Sequence, residues 1–111
     1  LYRKDGVFVM FDKEKYISKG INEKLSADLI TILWMMIDEA KAKTDLDYFQ
    51  IFRLSVSYQD GIKVQKIIHE QERPRYKHSV CVLCDTPPIN AKIYCIDDSV
   101  GHATMILAEE Y

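Results

Sequence analysis

The sequence predicts an α+β domain, with one long helix packed on a mostly antiparallel sheet of five to six strands. Three observations carry that expectation. One uninterrupted helical pattern runs from Ser26 to Thr44. From Tyr48 onward the chain reads as short alternating segments separated by turn residues. No second helical pattern of comparable length follows them. With 111 residues, 48% of them hydrophobic, the chain suits one domain with an ample core.

Residues 10–111 read as that single domain. Residues 1–9 read as a leader or expression extension, because the codons of Lys4 to Val7 can be written as a purine-rich, ribosome-binding stretch just before Met10. The alternative is an ordered arm, with Val7 to Phe11 packing on the domain. Tyr16 to Lys19 is expected as a short strand, and Gly20 and Asn22 as the turn into the helix. The helix opens at Ser26, whose hydroxyl can take an orphan amide of the first turn. Asp28 in that turn, and Lys41 and Lys43 at the other end, complement the helix dipole. At 1.5 Å per residue the segment spans roughly 28 Å.

Leu29, Ile32, Leu33, Met36, Ile37 and Ala40 make one apolar stripe at helical spacing. Ile30, Trp34 and Met35 fall beside it and need a second cover. Either the N-terminal segment or a loop supplies it within one chain, or a second copy does. On the second reading Ile30, Trp34 and Met35 are the interface, and Trp34→Glu converts a dimer to a monomer.

After the helix, Asp45 and Asp47 mark a break, with Leu46 tucked beneath. In Tyr48 to Tyr58, Phe52, Leu54 and Val56 alternate with Arg53, Ser55 and Ser57, so one face is buried and the other wet. Phe49 and Ile51 sit on the wet parity, which predicts cover on both sides at that end. Gln59-Asp60-Gly61 is a hairpin turn leading into the strand Ile62 to His69. A charged turn, Glu70 to Arg75, precedes the strand Tyr76 to Cys84. Pro87 and Pro88 stiffen the following loop. Ala91 to Asp97 and Ala103 to Glu110 are two more strands, joined by Asp98 to His102. Consecutive hairpins predict a meander, with Lys63, Gln65, Lys77 and Ser79 on its solvated face.

Composition excludes several classes. The longest apolar run, Leu29 to Ile37, is too short to span a bilayer, so no membrane association is expected. Three cysteines suit a reduced, cytoplasmic thiol inventory. A net charge of -2 argues against a dedicated nucleic-acid binder.

Chemistry-bearing motifs are sparse. Cys81-Val82-Leu83-Cys84 matches C-x-x-C, but in a strand residues three apart point to opposite faces, with Cα atoms roughly 10 Å apart. Cys95 with His69, His78 or His102 lacks zinc-site spacing. Asp97 and Asp98 fall at the turn end of the last hairpin, and Glu109 and Glu110 at its far end, so they share no ion. No catalytic residue, metal ligand or cofactor is therefore expected. Charge is unevenly spread: residues 63–78 carry net +3, whereas residues 85–111 carry net -4. Lys63, Lys66, Arg73, Arg75 and Lys77, with Tyr76 to stack on a base, form the candidate nucleic-acid patch. The interleaved Glu70 and Glu72 dilute it.

The phrases MFDKEKYISKGIN, QKIIHEQERPRY and PINAKIYCIDDSVGHATMILAEEY carry a resemblance. The chain resembles domain-of-unknown-function family nine hundred and sixty, small uncharacterised proteins of Gram-positive bacteria, from Met10 to Tyr111. The resemblance implies a cytoplasmic bacterial protein with one compact domain, and assigns no residue a role. Together these readings predict a non-enzymatic protein-protein interaction module, a homodimer or the partner of another protein. The alternative is a nucleic-acid-binding accessory protein using the strand and turn around residues 63–78. An edge strand such as Tyr76 to Cys84 offers docking by strand addition.

Overall fold

The computed structural model describes Phe11 and residues 14–111. Residues 1–9, and with them the leader-or-arm question, lie outside the described residues. The elements are β1 (Glu14–Ile17), α1 (Lys19–Lys24), α2 (Ala27–Lys41), β2 (Phe49–Gln59), β3 (Ile62–Gln71), β4 (Tyr76–Val82), β5 (Ala91–Asp97) and β6 (His102–Leu107). A 3₁₀ turn, Ala108–Glu110, follows β6. The six strands form one sheet in the order β1-β6-β5-β2-β3-β4. Among the described residues, only the β1–β6 pairing is parallel. The α+β class and the mostly antiparallel six-stranded sheet stand as expected.

The helix stands in part: among the described residues α2 is the one helix of more than six residues, but it is shorter than the expected Ser26 to Thr44 segment. Gly20 and Asn22 belong to α1, a helix of six residues, rather than to a turn. Ser18 starts it by accepting the Ile21 amide at 3.1 Å, and Ile21 is fully buried. Ser26 caps α2 through the Leu29 amide at 3.2 Å, and α2 runs 15 residues, stopping short of Thr44. Leu29, Leu33, Met36, Ile37 and Ala40 are buried. They cover one sheet face, where Phe52, Leu54, Ile67, Ile93, Cys95 and Met105 complete the core. A stripe with that spacing gains stability only when it meets such a sheet.

The sheet is not a plain meander. β2, β3 and β4 follow one another through hairpins, the first closed by Asp60 and Gly61 at φ 51° and 78°. β5 then pairs with the other side of β2 instead of with β4. Gln65 anchors that crossover. Its side chain points into the helix-covered face, is 1% exposed, and holds the returning loop. It accepts the Ile89 amide at 2.8 Å and donates to the carbonyls of Ser55, Lys66 and Ile89 at 3.0–3.2 Å. Gln65 and Lys63 therefore do not share the solvated face with Lys77 and Ser79, because the β3 register gives Lys63 the parity of buried Ile67. The last strand ends at Leu107, where the chain turns into the 3₁₀ segment.

Candidate functional site

The helices cover one face of the sheet. The other, outer face is built by strand alternation from residues whose neighbours point into the core. Phe49 and Ile51 on β2, Tyr94 and Ile96 on β5, and Ile106 on β6 fall together through the pairings Phe49↔Ile96, Ile51↔Tyr94 and Tyr94↔Ile106. All five are half-buried. Tyr111 lies over them, itself 77% exposed. Its ring centroid is 5.6 Å from Phe49 and 5.5 Å from Tyr94, and Phe49 and Tyr94 are 4.7 Å apart. Edge-to-face contacts of this kind hold an aromatic cluster rigid. Among the described residues, no helix or strand lies across this patch.

Charge is segregated around it. On the β3–β4 flank, Arg53 and Lys77 share Glu70 at 3.3 and 3.9 Å. Lys66 stands higher on the same face, and Lys92 reaches to 5.5 Å from the Tyr94 ring centroid. A shallow groove of about 330 Å³ runs between Ile51, Arg53, Glu70, Glu72, Arg75 and Lys77. On the β1–β6 flank stand Glu14 and Asp98. Asp98 accepts from the backbone of Val100 at 2.9 Å and from the backbone and ring of His102 at 3.0 and 2.9 Å, contacts that hold its carboxyl below the usual range.

The residues singled out in the sequence are distributed differently. Ile30 and Trp34 are half-buried on one flank of α2 and pack against the core, with the Lys15 ammonium 5.8 Å from the Trp34 ring centroid. Met35 is 60% exposed on the solvent side of α2, among Asp28, Thr31 and Asp38. Of the basic set, Lys66 and Lys77 reach the outer face, and Arg73 and Arg75 are exposed in the turn after β3. Lys63 and Tyr76 have the opposite parity. The Tyr76 ring stands edge-on to buried His69 at 5.5 Å and its hydroxyl is buried, while the residue as a whole is half-buried and lines the groove.

The motifs with chemical potential are occupied structurally. Cys81 is exposed on the outer face, Cys84 lies beyond the end of β4, and Cys95 is in the core. Burial pushes the thiols of Cys84 and Cys95 up, Cys95 far more, which disfavours thiolate. The buried Asp97 carboxylate accepts the amides of Phe11 at 2.6 Å and Ser99 at 2.7 Å. Glu110 accepts from Ser18 Oγ at 2.5 Å and from the amides of Leu107 and Gly20 at 2.8 and 3.1 Å. Among the described residues no three His, Cys, Asp or Glu side chains are placed to share a metal ion. No described helix is long and apolar enough to cross a membrane.

The aromatic patch escaped the sequence reading. Phe49 and Ile51 on the wet parity were its one signal; Tyr94, Ile106 and Tyr111 join them only because β5 returns to β2. No curated protein matches the chain. A crystal structure of a protein of unknown function from Enterococcus faecalis shares the fold, with a TM-score of 0.75 and 22% identity over 91% of this chain and 92% of that one. The family model described as "Staphylococcal protein of unknown function", DUF960, matches residues 14–110. Since that match takes in every element from β1 through the 3₁₀ turn, the chain belongs to the DUF960 family.

Proposed function

We propose that the protein is a non-enzymatic, cytoplasmic protein-binding module whose docking surface is the outer face of the sheet, centred on Phe49, Tyr94 and Tyr111. The observation that carries this is the contiguous half-buried patch that no described helix or strand covers. A contiguous apolar patch rimmed by charge is a usual signature of an interaction site. Aromatic anchors in it are the residues that dominate binding energy. The raised thiols and the carboxylates committed to backbone amides support a non-enzymatic reading. Unpaired cysteines suit a reducing compartment. Nucleic-acid binding has less support, since Glu70 lies between Arg53 and Lys77 and the Tyr76 ring is engaged edge-on by His69.

Parallel captures from host lysate test it, with wild type, Tyr94→Glu and Met35→Glu as bait. The expected result is a protein, the endogenous copy of this chain included, retained by wild type and Met35→Glu and lost from Tyr94→Glu. The same proteins in all three eluates would overturn the reading, as would material that disappears with nuclease.

A further inference from the structure

We infer that the occupant of the outer face is a second copy of this chain, packed sheet to sheet about a two-fold axis. This rests on the reading of that face as a docking surface. The argument is charge complementarity of the face with itself. One flank is net basic, with Arg53, Lys66, Arg75 and Lys77 against Glu70 and Glu72. The opposite flank is acidic, with Glu14 and Asp98. Between them lies the apolar centre, Phe49, Tyr94 and Tyr111. When two such faces meet about an axis that lies between them and runs along the strands, apolar centre meets apolar centre. Each basic flank then lies over the partner's acidic flank, twice per dimer. Sheets pack this way at about 10 Å, the thickness that interdigitated aromatic and aliphatic side chains fill. A partner of one charge sign matches only half of the face, whereas a second copy matches all of it.

Sedimentation equilibrium on the full chain tests this. Wild type is expected at twice 13.0 kDa. Tyr111→Asp alters a residue at the exposed C-terminal end; it is expected to stay folded by circular dichroism and to weaken dimerisation by roughly a hundredfold. Glu14→Lys and Lys77→Glu each place like charges on both contacts, and each weakens the homodimer by roughly fivefold. Mixed together, the two variants complement at both contacts and are expected to form a heterodimer more tightly than either self-associates.

A wild type that stays monomeric at millimolar concentration overturns this inference and leaves the docking surface to the capture experiment. A dimer that survives Tyr111→Asp, or that shows no preference in the mixture, also overturns it. So does a monomer that binds a single-stranded oligonucleotide and loses it on Tyr94→Glu.

Discussion

Glu110 accepts the backbone amide of Gly20 at 3.1 Å across 90 positions of sequence, and so joins the C-terminal 3₁₀ turn to the start of α1. The same carboxylate holds Ser18 Oγ, the group that caps α1, and the amide of Leu107. One acid thus fixes the entry to the first helix and the exit from the last strand. A Cβ at position 20 would lie 2.7 Å from the Glu110 carboxylate, which its other two partners prevent from swinging away. Gly20→Ala is expected to lower the melting temperature by about 5 °C. Glu110→Gln should lower it too, and the two changes together should cost less than their sum, because both break the same clasp.

The clasp also has a pH signature. These hydrogen bonds depress the Glu110 carboxyl below its ordinary value, the Ser18 hydroxyl foremost. A depressed acid stabilises the fold above its unfolded value of 4.5 and loses that contribution as pH falls through the lower folded value. Wild type and Glu110→Gln should therefore differ most near neutrality and converge in acid. Thermal melts from pH 7 to pH 2 check this; a constant difference over that range counts against the clasp.

His69 predicts a second case of the same sign, in which burial rather than pairing depresses the value. It is fully buried, with its ring stacked on Phe52 at 4.4 Å and Nε2 at 2.6 Å from Gln50 Oε1. Since that oxygen only accepts, Nε2 carries the proton, and Nδ1 is left without a partner. Burial, with the neighbouring His78 adding to it against a weaker pull from Glu39, lowers the His69 value from 6.5 to about 4. The unfolded chain takes up a proton below pH 6.5 that the folded chain refuses until about pH 4. Stability is complete above the upper value and falls between the two, by on the order of 3 kcal/mol. Urea denaturation across that window should show the slope in wild type and not in His69→Leu, whatever that change does to absolute stability. A His69 ring signal titrating near 6.5 would sink the prediction.

Gln65 explains why the topology was only partly legible. The α2 stripe, the β2 alternation and the Asp60-Gly61 turn are local patterns, and each appears where the sequence places it. The path of β5 is not local. It is held by a glutamine that reads as a surface residue but points inward, where four hydrogen bonds satisfy it. The α1 helix was hidden for a related reason. Gly20 looks like a helix breaker until Glu110 arrives from the far end of the chain to take its amide. The aromatic patch inherits the same non-locality, since it assembles from β2, β5, β6 and Tyr111. Gln65→Leu should therefore cost about 3 kcal/mol, because the Ile89 amide and carbonyl lose their partner. Amide exchange should speed up at Ile89 more than at Phe52; equal effects at both would argue against a role specific to the crossover.

Neighbouring positions of α2 should respond in opposite ways. Leu33 is fully buried between α2 and the sheet, whereas Met35, two residues on, is 60% exposed. Leu33→Ala leaves a cavity in the layer that joins helix to strands and should cost about 2–5 kcal/mol. Met35→Ala removes little that is out of water and should stay within about 0.5 kcal/mol of wild type. Trp34 lies between these cases. It packs on the core on one side and meets Lys15 on the other, so Trp34→Ala should destabilise the fold and, through β1, loosen the edge strand paired with β6. Urea melts rank the three variants. Hydrogen exchange at Tyr16 and Ile17 separates a helix whose tryptophan braces β1 from one whose tryptophan only fills the core: the first predicts faster exchange there in Trp34→Ala, and unchanged exchange would rule it out.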